Sequence, residues 1–233
     1  MRPAEASGRP RIAIAATGVA NLASVLAALR RAGCEPFVTR DPDELESCGL
    51  ALLPGVGAFG PAMDALRATG LDRALESRFR GGKPLMAICL GMQLCFEESE
   101  ESPGSRGLGF LPGTIRRFGP GLPVPQLGWN RVRAEAGAIP GAEAKARLLQ
   151  PGWAYFANSY MLQTAPAGAL ALYSDYGHSF VAALESGPLL LCQFHPELSG
   201  DMGRALLGRW NAAAADGAAA ADGAVAADVK GAR

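Results

Sequence analysis

The sequence predicts an α/β domain built around a largely parallel sheet, and three observations lead there. Short apolar runs (residues 11–16, 36–40, 50–53 and 85–88) alternate with stretches whose apolar residues recur at helical spacing, the pattern of βαβ units. After about residue 105 the texture changes to strand-like stretches separated by Gly and Pro turns, with little helix between them, so the second half should add mixed or antiparallel strands. With 49% hydrophobic residues in 233, the chain can bury one sizeable core, or at most two small ones.

Taken in order, residues 1–10 read as a loose leader, and Arg11–Ala16 as the first strand. Asn21 is expected to cap a helix in which Leu22, Val25, Leu26 and Leu29 fall at i, i+3, i+4 and i+7, with Gly33 as its stop. Pro36–Arg40 and Leu50–Leu53 follow as strands, the second ending at Pro54. A helical stretch carrying Met63, Leu66, Leu71, Leu75 and Phe79 is broken near Gly70 and closed by Gly81-Gly82. Leu85–Ile88 is the next strand, and a helix begins near Gly91. Further on, Thr114–Phe118, Trp153–Leu162, Leu170–Ser174, Phe180–Leu184 and Leu189–Phe194 read as strands, before a last helix over Met202–Ala212 that presents Leu206, Leu207 and Trp210. The domain thus spans 11–212, and the Ala/Gly-rich stretch 213–233, with little to bury, reads as a disordered tail.

Charge narrows the functions. Lys and Arg number 22 against 22 Asp and Glu, so there is no basic surplus with which to hold nucleic acid by bulk charge. No apolar run reaches the roughly 18 residues needed to cross a bilayer, and the start of the chain lacks the apolar core of a secretory signal; the expected address is the cytoplasm. Cys34, Cys48, Cys89, Cys95 and Cys192 form no CxxC pair or metal-ligand spacing, so neither disulfides nor a metal is expected. Only His178 and His195 are available as bases that titrate near neutral pH.

Three segments carry chemistry. In Leu85-Met86-Ala87-Ile88-Cys89-Leu90-Gly91-Met92-Gln93 an apolar strand runs into Cys89, with small residues two before and two after it and a helix following. That is the pattern of a nucleophile elbow, and a helix N-terminus there favours thiolate; read alone, Cys89 also fits a buried structural cysteine. In Leu189-Leu190-Leu191-Cys192-Gln193-Phe194-His195-Pro196-Glu197, His195 and Glu197 stand two apart. In extended backbone they would project to one side, so that Glu197 could hold the imidazole tautomer; His195 equally fits a structural histidine. His178 reads as a solvated turn residue with no carboxylate at orienting spacing. The glycines of Pro54-Gly55-Val56-Gly57-Ala58-Phe59-Gly60 allow main-chain N–H groups to face a ligand, although a plain strand-to-helix turn is the default reading.

Together these segments resemble the class I (triad) glutamine amidotransferases: Ile88-Cys89-Leu90-Gly91-Met92-Gln93 at the nucleophile, and His195-Pro196-Glu197 completing Cys-His-Glu. Within that group, Pro54–Gly60, Gly128-Trp129-Asn130, Tyr155-Phe156 and Ser159-Tyr160 are similar to the glutaminase subunits of imidazole glycerol phosphate synthase, over roughly residues 11–211. The resemblance implies a flavodoxin-like three-layer fold with a central, mostly parallel sheet. It also implies a γ-glutamyl thioester on Cys89, with His195 as general acid and base and Glu197 orienting it. The oxyanion would be met by N–H groups of Leu90 and of the Val56–Gly57 turn, and glutamine held by Gln93 and by Asn158, Ser159 and Tyr160. No cofactor is implied. The implied partner is a (β/α)₈ cyclase subunit, in a heterodimer, that receives the ammonia for histidine biosynthesis. A glutaminase serving another synthase, or a Cys-dependent hydrolase, are the competing readings. Four strings depart from the family pattern without touching the triad. Ala16-Thr17-Gly18-Val19-Ala20-Asn21 stands for Asp-Tyr-Gly-x-Gly-Asn, and Gln126-Leu127-Gly128-Trp129-Asn130 for His-Met-Gly-Trp-Asn. Asn158 replaces the His of His-Ser-Tyr, and Leu198 the Lys after His-Pro-Glu.

Overall fold

Four of the apolar runs pair side by side. In the computed structural model, which describes residues 9–17, 22–134 and 148–213, strands β1 (Arg11–Ala15), β2 (Glu35–Thr39), β3 (Leu50–Leu53) and β4 (Leu85–Ile88) lie parallel in the order β2-β1-β3-β4. The Asn21 cap, the tail beyond 213 and all but the last two leader residues lie outside the described residues. Helix α1 (Leu22–Arg31) connects β1 to β2 and ends at Gly33, whose φ of 85° takes the chain out of the helix. Helices α3 (Phe59–Thr69) and α4 (Leu71–Arg80) meet at Gly70, φ 75°, as the break in the pattern predicts. Between β2 and β3 lies a helix the periodicity does not reveal, α2 (Pro42–Ser47). Its six residues are too few for a repeat, but Asp41 accepts a hydrogen bond from the Asp43 N–H at 2.9 Å and Pro42 follows as the first helical residue, a recognisable start signal.

The second half completes the sheet in the other sense. After the short α5 (Leu90–Leu94), the strands are β5 (Glu98–Ser99), β6 (Thr114–Arg117), β7 (Gln126–Ala134), β8 (Gly152–Asn158), β9 (Tyr160–Met161), β10 (Leu170–Tyr176), β11 (His178–Ser186) and β12 (Leu189–Cys192). β12 inserts parallel to β4, and β11, β10, β7 and β8 then add antiparallel, giving one nine-stranded mixed sheet; β5, β6 and β9 form a small second sheet. The stretch expected as one strand over Trp153–Leu162 is broken at Ser159, where β8 leaves one sheet and β9 joins the other. β7 is absent from the sequence reading because its apolar Leu127 and Trp129 point outward, inverting the usual burial signal. A final helix, α6, covers residues 200–213.

The central strands are covered on both faces, which is why they read as unbroken apolar runs. Ala13, Ala15, Ala51, Leu53, Leu85, Ala87, Leu189 and Leu191 pack into one core with α3 and α4. The intervening Ile12, Ile14, Leu50, Leu52, Met86, Ile88 and Leu190 pack into the other with α1 and with Leu206, Leu207 and Trp210 of α6. Successive residues of one strand thus serve opposite layers.

One fully buried cation braces the first layer. Arg78 of α4 has no exposed surface, and its guanidinium donates to the main-chain carbonyls of Leu45, Glu46, Cys48, Gly49 and Pro84, tying the end of α2 to the entry of β4. Among the described residues no carboxylate accepts from it: the carbonyls take up the two terminal nitrogens of the fork, and only Nε is left without a partner. Arg78→Met should therefore leave several buried acceptors unpaired and cost about 3 kcal/mol or more in a denaturant-unfolding measurement. A loss below about 1 kcal/mol would show that the carbonyls find other donors.

Candidate active site

At the end of β4 the backbone makes its sharpest turn. Cys89 adopts φ 53° and ψ −110°, and it is the only non-glycine residue with positive φ among the described residues. Holding it there costs roughly 1–3 kcal/mol. The neighbours explain both the strain and the small flanks. A Cβ on Gly91 would come within 2.1 Å of the Leu53 carbonyl oxygen, and one on Gly55 within 2.4 Å of the Gly91 nitrogen. The 54–58 turn, the end of β3 and the start of α5 are thus pressed together as only glycine permits. Cys89 N–H donates to Cys192 O at 2.7 Å, locking the elbow to β12. The helix behind Cys89 is only five residues long, so the dipole expected to favour thiolate is a small one.

His195 and Glu197 meet as the spacing suggests, but by a different geometry. His195 is extended (φ −98°, ψ 98°), whereas Pro196–Leu198 is a single 3₁₀ turn. It is this turn, in place of a continued strand, that swings the carboxylate back so that Glu197 Oε1 lies 2.8 Å from His195 Nδ1, with both side chains over nine-tenths buried. The backbone beneath is held by Ser199: its hydroxyl donates to His195 O at 2.6 Å and accepts from Tyr155 N at 2.9 Å, while His195 N donates to Tyr155 O. Gly203 of α6 runs so close that a Cβ there would lie 1.9 Å from Pro196 O. His178 is not a free turn residue. It begins β11, half-buried, with its ring 5.8 Å from that of Phe118, because the two-strand turn at Gly177 folds it back onto the core.

A cavity of about 330 Å³ opens over the elbow, lined by Cys89, His195 and Glu197 and by every other residue singled out from the sequence: Val56, Gly57, Leu90, Gln93, Asn158, Ser159 and Tyr160. Two of these are already committed within the protein. Gln93 Nε2 and Asn158 Nδ2 both donate to Tyr160 O, at 3.1 and 3.0 Å, which pins the β8–β9 break, while the buried Asn158 Oδ1 has no partner among the described residues. Two lining or adjoining residues escaped the sequence reading. Glu101, beyond β5, lines the cavity and accepts from Phe59 N at 2.8 Å, capping α3 from a distance that no local pattern discloses. Gln193, fully buried, directs its amide at Cys89; a lone polar residue in the apolar run before His195 was its only signal.

The electrostatics favour a charged imidazole. Burial alone would lower the His195 pKa, but hydrogen bonds to Cys89 and Glu197, reinforced by their charges, outweigh it and raise the value from 6.5 to about 10. The remaining buried thiols, Cys34, Cys95 and Cys192, are pushed up by burial and stay neutral. A strained, buried cysteine beside a carboxylate-oriented histidine, in a cavity of small-ligand size, can carry out nucleophilic acyl transfer.

Comparison with known proteins identifies the family. The family "Glutamine amidotransferase class-I" matches residues 17–210, and the chain belongs to it. The fold is shared with a crystal structure of a glutamine amidotransferase at a TM-score of 0.67 and 20% identity, covering 85% of this chain and 98% of that one. Imidazole glycerol phosphate synthase subunit HisH of Symbiobacterium thermophilum is 40% identical over 88% of this chain and 95% of its own length. HisH of Bacillus subtilis is 38% identical over 85% and 94%. Within the class, then, this is a member of the HisH family, the glutaminase subunits of imidazole glycerol phosphate synthase.

A raised imidazole pKa stabilises the fold fully below pH 6.5, and that contribution is lost as the pH climbs through about 10. By NMR, the His195 ring should remain protonated well above 6.5 in the wild-type chain. Cys89→Ala, which removes one of the hydrogen bonds and charges that raise it, should move the midpoint downward. A midpoint unmoved by the substitution would mean that the sulfur does not set it.

Proposed function

We propose that Cys89, His195 and Glu197 form the hydrolytic triad with which this subunit releases ammonia from L-glutamine. The reading rests chiefly on one observation: an oriented His195–Glu197 pair at 2.8 Å and a strained Cys89 share one cavity. Cys89 Sγ attacks the side-chain amide carbon, and the negative charge on oxygen is met by the N–H groups of Leu90 and of the Val56–Gly57 turn. His195 gives its proton to the departing nitrogen, leaving a γ-glutamyl thioester and ammonia. It then takes a proton from water, whose oxygen attacks the thioester to give glutamate and free Cys89. Glu197 keeps Nδ1 protonated and the ring aligned throughout.

The substrate ends are recognised by the cavity walls. Gln93, Asn158, Ser159 and Tyr160 supply polar contacts. Glu101, among the described residues the only carboxylate lining the cavity besides Glu197, takes the α-ammonium group. The ammonia passes to a cyclase subunit with a (β/α)₈ barrel, in a cytoplasmic heterodimer serving histidine biosynthesis. An exposed apolar surface supports a docking face next to the site: Leu127, Trp129 and Trp153 are more than half exposed on the outer side of β7 and β8, and Leu198 of the triad turn is also exposed.

Cys89→Ala should abolish glutamine hydrolysis, by roughly 10⁴-fold or more, with the fold intact, while the cyclase mixed with this variant still turns over on added ammonium salt. Retained glutamate release would defeat the assignment. Glu101→Gln is expected to raise KM for glutamine by about tenfold, with kcat changed far less, since it removes a charge-assisted contact made equally in ground and transition states. A selective fall in kcat in steady-state assays would instead move Glu101 into the chemistry.

A further inference from the structure

The short α5 offers little dipole to the Cys89 sulfur, and besides His195 a buried amide stands within reach of it. Gln193 follows β12 directly and has no exposed surface. Its main-chain N–H donates to Ala182 O at 2.9 Å, which carries the pairing with β11 one residue further and fixes where the side chain departs. Its carboxamide bridges two groups: Oε1 accepts from Gln93 Nε2 at 3.0 Å, and Nε2 lies 3.7 Å from Cys89 Sγ.

The direction of that amide is determined by chemistry. Tyr160 O is a carbonyl and can only accept, so the end of Gln93 that faces it at 3.1 Å is the NH₂. The same NH₂ faces Gln193, which must therefore present its oxygen there. The Gln193 NH₂ is left for the sulfur. A main-chain carbonyl on β9 thus orients, through two buried amides in series, a hydrogen-bond donor onto the nucleophile.

We propose that Gln193 stabilises the Cys89 thiolate for glutamine hydrolysis by donating an N–H to its sulfur, held in that orientation by Gln93 and the Tyr160 carbonyl. The inference deepens the reading of Cys89 as nucleophile and rests on it. A donor to an anion is worth more than the same donor to a neutral thiol, so the amide shifts the thiol's ionisation toward thiolate. Because the amide cannot ionise, its contribution persists while the His195 proton moves during the reaction.

The test is the pH dependence of Cys89 alkylation by iodoacetamide on the full chain, followed by mass spectrometry of the Cys89 peptide. Other titratable groups around the sulfur are unchanged by substitution at 193: His195 with Glu197 on the 3₁₀ turn, Glu101 and Tyr160 across the cavity, and the buried neutral Cys192 on β12. The 54–58 turn and residues 90–94 of α5 contribute none. Gln193→Leu should raise the alkylation midpoint by about one pH unit. Gln193→Glu keeps an acceptor for Gln93 but puts negative charge at the sulfur, so it should raise the midpoint further still. If Gln193 only holds Gln93 in place, Gln193→Leu will leave the midpoint at the wild-type value. Gln93→Leu, which frees the Gln193 amide to turn over, should give a smaller upward shift and reports even where a substitution at 193 prevents folding. Midpoints at the wild-type value in the folded variants would overturn the proposal. Glutaminase activity surviving Cys89→Ala would instead remove the nucleophile reading beneath it.

Discussion

Everything at this site depends on how closely β3, β4 and the start of α5 approach one another. The carbonyl oxygen of Leu53 stands where a Cβ on Gly91 would be, and the backbone of Gly91 stands where a Cβ on Gly55 would be. Pressed between them, the chain can leave β4 only by turning sharply at Cys89, and it does so at a positive φ that a side-chain-bearing residue normally avoids. The resulting strain is borne by the parallel core. Leu53, Leu85, Ala87 and Leu191 are wholly buried on three adjacent strands and hold the elbow in register from below. The same parallel arrangement brings β12 beside β4, so that Cys192 O can anchor the Cys89 N–H and the chain after β12 delivers His195 to the same edge.

A buried imidazolium is costly in isolation, and the site offsets that cost locally. Desolvation works against the charge on His195, while Glu197 and Cys89 work for it and win. This balance needs an acid that cannot drift. Glu197 sits on a one-turn 3₁₀ segment restrained by Pro196, and the backbone of that segment is clamped from two directions: by Ser199 to β8, and by the close passage of Gly203 in α6. The last helix therefore does more than cover hydrophobic surface with Leu206, Leu207 and Trp210; its first turn is the backstop of the segment that carries the Glu197 carboxylate.

Much of this was legible in the sequence where a local rule governs. The elbow could be read because its steric demand falls on residues two before and two after Cys89 in the chain, and His195 and Glu197 because they are neighbours. The strands β1, β3, β4 and β12 showed themselves as apolar runs because both their faces are covered. What escaped reading is governed by contacts between distant segments. Glu101 reaches α3 across 42 residues, Gln193 meets Gln93 across 100, and the carbonyls around Arg78 gather from 6 to 33 residues away. β7 escaped for a different reason: Leu127 and Trp129 face outward, so burial and hydrophobicity part company in that strand.

That separation of burial from hydrophobicity also marks the interior of the site. Buried polar side chains are expensive unless paired, and several of those buried among the described residues gather around Cys89: Gln93, Asn158 and His195 line its cavity, and Gln193 directs its amide at the sulfur. Gln93, Gln193 and Asn158 satisfy their donors on the Tyr160 carbonyl, on one another and on the Cys89 sulfur. Such a network tolerates one arrangement of its amides, because each donor fixes the acceptor it faces. It links the strand break at Ser159, which lines the cavity, to the state of the sulfur. Under the proposed reading of Cys89 as nucleophile, an amide substrate held by Tyr160 or Asn158 would act on the sulfur through these hydrogen bonds.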